Sequence, residues 1–381
     1  MRSATLLLAL LSSVAASSAA ACDLERPSGL EPCTRAAVDS LPLGALQVIG
    51  THNSYKLAMP AEELAAHRAG DPAGADGLDY AHASLTTQLD LGVRVLELDV
   101  YYDPAGGRYQ APPGALRRGY ASPPWSADDL LRMRAPGFKV MHLHDIDFRS
   151  NCVTLALCLR RVNEWSQAHR WHAPIMISVN AKDGGGGPGA TAALPFDGAA
   201  FDALDAEIRA AIPATRLYVP AHLLGTDINL GAAIARHGWP TLGEMRGRIL
   251  LVLDEDARKR ELYRARAATP AMFVASDLVE DDTAILVLND PLMQRDRIAE
   301  AIAAGRLVRT RADADTREAR TQDGRRREAA FASGAQFISS DYPRPDPRWP
   351  GYRVAFPEGG FVRCRPDLSI CTSLLEPAHA Q

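Results

Sequence analysis

The sequence predicts an α/β protein of the (β/α)8 TIM-barrel class. Strand-like runs alternate with helical patterns over one continuous length of chain. Several runs are rich in Val, Ile and Leu on both faces, as strands buried in a parallel sheet are. Polar residues gather where the runs end, and barrels of this class build their sites at the C-terminal ends of the strands. A doubly wound sheet is the rival. It calls for a glycine-rich phosphate loop after the first strand, and Gly-Thr-His-Asn-Ser at 50–54 has no G-x-G-x-x-G.

The strand runs fall at 46–55, 93–102, 138–145, 174–182, 248–254, 284–289, 307–313 and 335–342, with 272–276 competing with 284–289 for one place. Helical patterns with apolar residues three or four apart occupy 155–168, 201–212 and 295–304. The four glycines at 184–187 read as a loop after the fourth strand. This places a leader at 1–21, an extension at 22–45, the barrel at 46–343 and a Pro/Gly-rich tail at 344–381 that wraps its exterior. No internal repeat appears.

Of 381 residues, 47% are hydrophobic and 23% charged, which excludes a chain disordered throughout. A formal net charge of -4 gives no basis for bulk attraction to nucleic acid. Arg2, an apolar run at 4–11 and small residues up to 21 have the layout of a secretory signal peptide, so the expected location is secreted or periplasmic. Lipoprotein anchoring at Cys22 is the second reading, weakened by Ala19 where a lipobox has Leu. No later stretch reaches the ~20 apolar residues of a spanning helix. The six cysteines form three close pairs, and in an exported chain this favours local disulfides 22–33, 152–158 and 364–371. A metal cluster is the rival, without the usual Cys and His spacings.

The strand ends carry the chemistry. The first ends in Thr51-His52-Asn53-Ser54-Tyr55. On the second, Glu97 and Asp99 share one face, with Val93 and Val95 below them. Two neighbouring carboxylates are costly to bury unless a cation sits between them. The third run ends in His142-Leu143-His144-Asp145. Asn180 and Lys182 share a face of the fourth, and the run at 307–313 carries Arg309 and Arg311. Oxygens of Asn53, Glu97 and Asp99 suit a hard cation such as Ca²⁺. Two histidines beside it suit general acid–base work. Lys182 and Arg311 suit a phosphate. Together they point to metal-assisted phosphoryl transfer. The blander alternatives are a satisfied loop histidine at 52, an ion-paired strand end with Arg94 or Arg117, core-edge or zinc-binding histidines at 142 and 144, a solvated Lys182 and a solvated helix face from 309 to 327.

These segments resemble one family. T-H-N-S-Y at 51–55, L-E-L-D-V-Y at 96–101 and V-M-H-L-H-D-I-D-F-R-S-N-C at 140–152 are similar to the catalytic region of phosphoinositide-specific phospholipases C. The segments 308–321 and 329–347 resemble the secreted, calcium-dependent bacterial branch. The resemblance covers roughly positions 45 to 365 and implies a TIM-barrel phosphodiesterase of the phospholipase C type. It implies cleavage of phosphatidylinositol at a membrane surface into diacylglycerol and a cyclic inositol phosphate, by attack of the inositol 2-hydroxyl. His52 and His142 match the two catalytic histidines, and Asn53, Glu97 and Asp99 match calcium ligands. Asn180 stands where eukaryotic relatives have a glutamate ligand, a departure that removes one charge. Lys182 and Arg311 resemble phosphate or inositol contacts, and His144 has no matched role. A monomer is expected. The alternatives are a glycerophosphodiesterase or sphingomyelinase D-like enzyme on the same barrel, and a secreted binding protein without turnover. Trp125 is read as a buried or surface aromatic, with a lipid contact as the other possibility.

Overall fold

The structure is a computed structural model and describes residues 21–114, 124–184, 189–266 and 269–375. Residues 1–20 of the expected leader, Arg117 and most of the four-glycine run lie outside these.

Eight parallel strands form a nearly closed barrel. In chain order they begin with β1 (Leu46–Thr51) and β2 (Val95–Tyr101). After the short β3 (Lys139–Val140) come β4 (Ile175–Ala181), β5 (Ile249–Leu253) and β6 (Met272–Val274). The last are β7 (Ile285–Val287), β8 (Leu307–Arg311) and β9 (Phe337–Ser340). The hydrogen-bonded order is β6-β5-β4-β2-β1-β9-β8-β7, and one parallel bridge, Ala275 to Ile285, joins the ends of that path. Both runs that competed for one place are therefore barrel strands.

The run at 138–145 is not. β3 pairs antiparallel with the upper end of β2 (Val100 to Val140, Tyr101 to Lys139), and β4 is the parallel neighbour of β2 instead. Nothing is left of a strand beyond Val140: Leu143 bridges back to Asp147 and the chain turns. The apolar run is short and ends in polar residues that find local partners, so alternation alone overstated its length. The tail also contributes a strand, β10 (Val362–Cys364), antiparallel to the start of β1.

Alternation on the strands sorts the core. Val48, Val95, Met176, Leu250, Val252, Phe273, Ile285, Leu307 and Phe337 belong to one buried cluster. The opposite faces, including Leu96, Leu98, Ile177, Val179, Leu251 and Leu253, pack with the helices in another. Each such side chain removed from water contributes about 1.5–3 kcal/mol. Gly50 continues the face of Val48, and a Cβ there would fall 2.1 Å from Val95 Cβ, so glycine lets β1 and β2 close up. The helices start on side-chain caps: Ser84 before Leu85–Leu91, Thr154 before Leu155–Ala168 and Asp197 before Gly198–Ala211.

The expected disulfides, Cys22–Cys33, Cys152–Cys158 and Cys364–Cys371, are all present. Trp125 is buried; its indole donates to the Gln110 carbonyl and meets Phe148 edge-on. Among the described residues no helix is long and apolar enough to cross a membrane.

His172 links this core to pH. It is buried, its Nδ1–H donates to the Ala173 carbonyl (2.6 Å), and its Nε2 accepts from the Ser166 hydroxyl (2.7 Å). That pairing suits the neutral ring, and burial pushes its pKa down to about 4 from 6.5. Between those values the unfolded chain binds a proton that the folded chain refuses, so stability falls as pH drops through this window. Urea unfolding should show His172→Gln losing about 2 kcal/mol less than the parent between pH 7 and pH 5. Parallel losses in the two proteins would refute this assignment.

Candidate active site

Above the apolar layer, the inward positions of the strands turn polar. Glu97 and Asp99 follow Val95 on β2, Asn180 follows Met176 on β4, and Asp254 follows Val252 beyond β5. Asn289 lies beyond β7, Arg309 and Arg311 lie on β8, and Ser339 and Asp341 lie at the end of β9. All therefore meet at the C-terminal mouth.

His52 and Asp341 are neighbours because Thr51 and Ser340 are register partners on β1 and β9, and each residue is the next along its strand. His52 Nδ1–H donates to Asp341 Oδ1 at 2.9 Å, which leaves Nε2 facing Glu97 Oε1 at 3.7 Å. The other Asp341 oxygen meets Arg311 at 3.3 Å. Burial, then the Arg311 guanidinium, holds the His52 imidazolium well below its ordinary pKa; the charge of His142 acts in the same direction. Asp341 is itself held in place. Its N–H donates to Asp313 Oδ1 (2.8 Å), while the Ser340 hydroxyl donates to Asp313 Oδ2 (2.5 Å). His82 Nε2–H donates to the His52 carbonyl at 2.8 Å and secures the backbone.

His142 reaches the same mouth from a loop. Its Nδ1–H donates to Asp147 Oδ2 at 2.9 Å, and the Tyr101 hydroxyl donates to its carbonyl. Asp147 is fully buried against Lys56 Nζ at 3.1 Å. Lys56 also donates to the Tyr80 carbonyl and sits over the Tyr80 ring. A bridge from Lys56 to Ser150 and a bond from Asn151 N–H to the Tyr55 carbonyl tie the two loops together. His144, two residues on, points away: its Nε2–H donates to the Thr191 carbonyl and its ring packs against Tyr101 and Tyr109. Its place is structural.

The acidic pair is occupied from within the protein. Glu97 Oε2 accepts from Arg309, which also donates to Ser339 and Asn289 and is 1% exposed. Asp99 Oδ2 lies 3.0 Å from Lys182 Nζ, a charge contact rather than a directed hydrogen bond. Arg94 is not the partner of either; it forms a two-pronged pair with Glu25. Asn53 adopts a left-handed backbone (φ 45°), tolerable for asparagine. Its Nδ2 donates to the Tyr80 hydroxyl (2.9 Å), and its Oδ1 accepts from the Tyr55 hydroxyl (3.2 Å). Asn180 Nδ2 donates to the Asp254 carbonyl at 2.7 Å. Burial raises the Asp254 carboxyl to about 6 against the pull of Arg309.

Among the described residues no three His, Cys, Asp or Glu side chains make a ready metal cluster. The donor chemistry nevertheless fits a hard cation. Asp99 is 1% exposed, and its Oδ1 has no hydrogen-bond partner, a costly state for a buried carboxylate. The Asn180 amide is its cross-strand neighbour, since the two residues are register partners. Glu97 shares its face of β2, so hard-oxygen side chains stand beside Asp99 on its own strand and on the neighbouring one.

The positions singled out from sequence, His52, Asn53, Glu97, Asp99, His142, Asn180, Lys182 and Arg311, all stand at this mouth. Sequence reasoning missed Asp341, Asp147, Lys56, Tyr80 and Asp254, and it undervalued Arg309. Alternation carried along β8 and just past β5 and β9 flags Arg309, Asp254 and Asp341. Asp147 and Lys56 leave no such signal, because loops place them.

A family model described as calcium-dependent phosphoinositide phospholipase C matches residues 41–366. The chain is similar to a calcium-dependent phosphoinositol-specific phospholipase C from Pseudomonas sp, an apo form in a myoinositol complex. The TM-score is 0.54 at 17% identity, over 89% of this chain and 99% of that one. It is also similar to a Ca²⁺-dependent phosphatidylinositol-specific phospholipase C from Streptomyces antibioticus. There the TM-score is 0.50 at 16% identity, over 79% and 95% of the two chains. No curated protein matches the chain. With the family model spanning most of its length, the chain belongs to the calcium-dependent phosphoinositide phospholipase C family, and is an enzyme of the phosphodiesterase class.

Proposed function

We propose that the chain is an exported, monomeric, calcium-dependent phosphodiesterase that cleaves phosphatidylinositol to diacylglycerol and a cyclic inositol phosphate. The observation that most supports this reading is the pair of imidazoles, each backed by a buried carboxylate, beside carboxylate and amide oxygens at one barrel mouth. A calcium ion held by Asp99, Asn180, Asn53 and the free Glu97 oxygen would lower the pKa of a bound hydroxyl and stabilise phosphate charge.

The rest belongs to the chain. Asp341 fixes the His52 tautomer, so Nε2 is the nitrogen free to take the proton of the inositol 2-hydroxyl. That oxygen attacks phosphorus, and the bond to the diacylglycerol oxygen breaks. Asp147 likewise holds Nδ1 of His142, whose Nε2–H protonates the departing alkoxide. Glu97 Oε1, near His52 Nε2, stabilises the imidazolium that forms or takes the proton in its place. Arg311 retains guanidinium donors for phosphate beyond its bond to Asp341. The nucleophile is part of the substrate, so much of the entropic barrier is already met.

His52→Ala and His142→Ala should each lower kcat on phosphatidylinositol at least about 10²-fold with thermal melting unchanged. Near-full activity in either variant removes that histidine from the mechanism. Asp341→Asn disturbs the tautomer rather than binding, so kcat should fall about 10²-fold or more while KM moves little. A change confined to KM would count against a positioning role. Chelation should stop turnover, and calcium should restore it better than magnesium, which demands a tighter octahedral shell. Phosphorus NMR across a panel of phosphodiesters should show the cyclic inositol phosphate; turnover of glycerophosphodiesters or sphingomyelin alone would sink the substrate assignment.

A further inference from the structure

Two protein cations face the acidic pair, and they differ in freedom. Arg309 is 1% exposed and donates to Glu97, Ser339 and Asn289, so no turn of its side chain is open to it without stranding a buried charge. Lys182 has a fixed backbone, its N–H donating to the Val100 carbonyl. Its side chain is 36% exposed, and its ammonium touches Asp99 Oδ2 at 3.0 Å. An ammonium on a four-carbon stem can swing into water and be hydrated there. Asp99 cannot follow: it is 1% exposed, on β2, with Oδ1 unpartnered. The same carboxylate thus offers one oxygen with no hydrogen-bond partner and one held by a displaceable charge.

We propose that Lys182 is a tethered counter-ion that competes with the divalent cation for Asp99 and sets the calcium concentration at which the site fills. The inference rests on the calcium reading above. Without metal, the ammonium offsets the buried carboxylate. With metal, like charges on one carboxylate repel, and the ammonium leaves for solvent. Every binding event then includes the loss of an existing ion pair, so apparent calcium affinity is weaker than the oxygen donors alone would give.

Calorimetric titration of the full chain with calcium chloride tests this, without reference to turnover. Lys182→Met and Lys182→Gln remove the competing charge, and each should bind calcium at least about fivefold more tightly than the parent. Lys182→Arg keeps the charge and should stay close to the parent. Equal or weaker binding by Lys182→Met and Lys182→Gln overturns the proposal, as does a gain in Lys182→Arg equal to theirs, which would make the effect steric. If the parent binds calcium and the neutral variants bind it no better, only this inference fails. If neither parent nor variants bind calcium, and phosphatidylinositol is still cleaved with chelator present, the calcium reading fails with it. Thermal melting of all four proteins confirms that the compared chains are folded.

Discussion

Charge closure in a low-dielectric mouth is the constraint on which the site depends. Four of the carboxylates buried there each rest against a protein cation: Glu97 on Arg309, Asp99 on Lys182, Asp341 on Arg311 and Asp147 on Lys56. An isolated charge in such surroundings is expensive, and removing one partner of a buried pair typically costs about 3–5 kcal/mol. The pairs therefore hold one another in position before any substrate arrives. Four carboxylates that would otherwise repel can then share one rim, which an acid–base site with an oxygen-rich pocket requires.

The two imidazoles reach that rim by different routes, with consequences for rigidity. His52 and Asp341 follow register partners on adjacent parallel strands, and the His52 N–H continues the ladder by donating to the Ser340 carbonyl at 3.2 Å. Their separation is set by the sheet. His142 and Asp147 lie five residues apart in one loop, and what fixes them is the buried Lys56 pair, the Tyr101 bond and the Cys152–Cys158 disulfide just beyond. The first dyad belongs to the barrel. The second is packed onto it, and its geometry depends on contacts far apart in sequence.

That division also explains what could be read in advance. Alternation along β2 shows in the letters, so Glu97 and Asp99 fall on one face, with Val95 below them in the apolar cluster. The same rule places Asn180 and Arg311. It gave wrong guidance at 138–145, where an apolar run with period two pairs antiparallel for only two residues. A barrel strand and an edge ribbon share one local pattern, and only the pairing of β4 with β2 separates them. Lys56, Asp147 and Tyr80 were out of reach for a related reason. Loop closure decides which distant side chains meet, and a polar residue in a loop looks the same whether it is solvated or buried.

Glu97 and Asp99, alike in the sequence, end with different freedoms. Arg309 is buried with no exit to water, so one Glu97 oxygen is committed for the life of the fold. Only Oε1, 3.7 Å from His52, is left for chemistry. Whether that oxygen meets a metal, a proton or the imidazolium, it acts from one fixed direction. Asp99 has a removable partner and an oxygen that accepts no hydrogen bond. The two carboxylates therefore differ in freedom: Glu97 is held by a buried guanidinium, and Asp99 is the one whose neighbour reaches water. The difference follows from the cations opposite them, one rooted on an interior strand position and one just past a strand end with its side chain open to water.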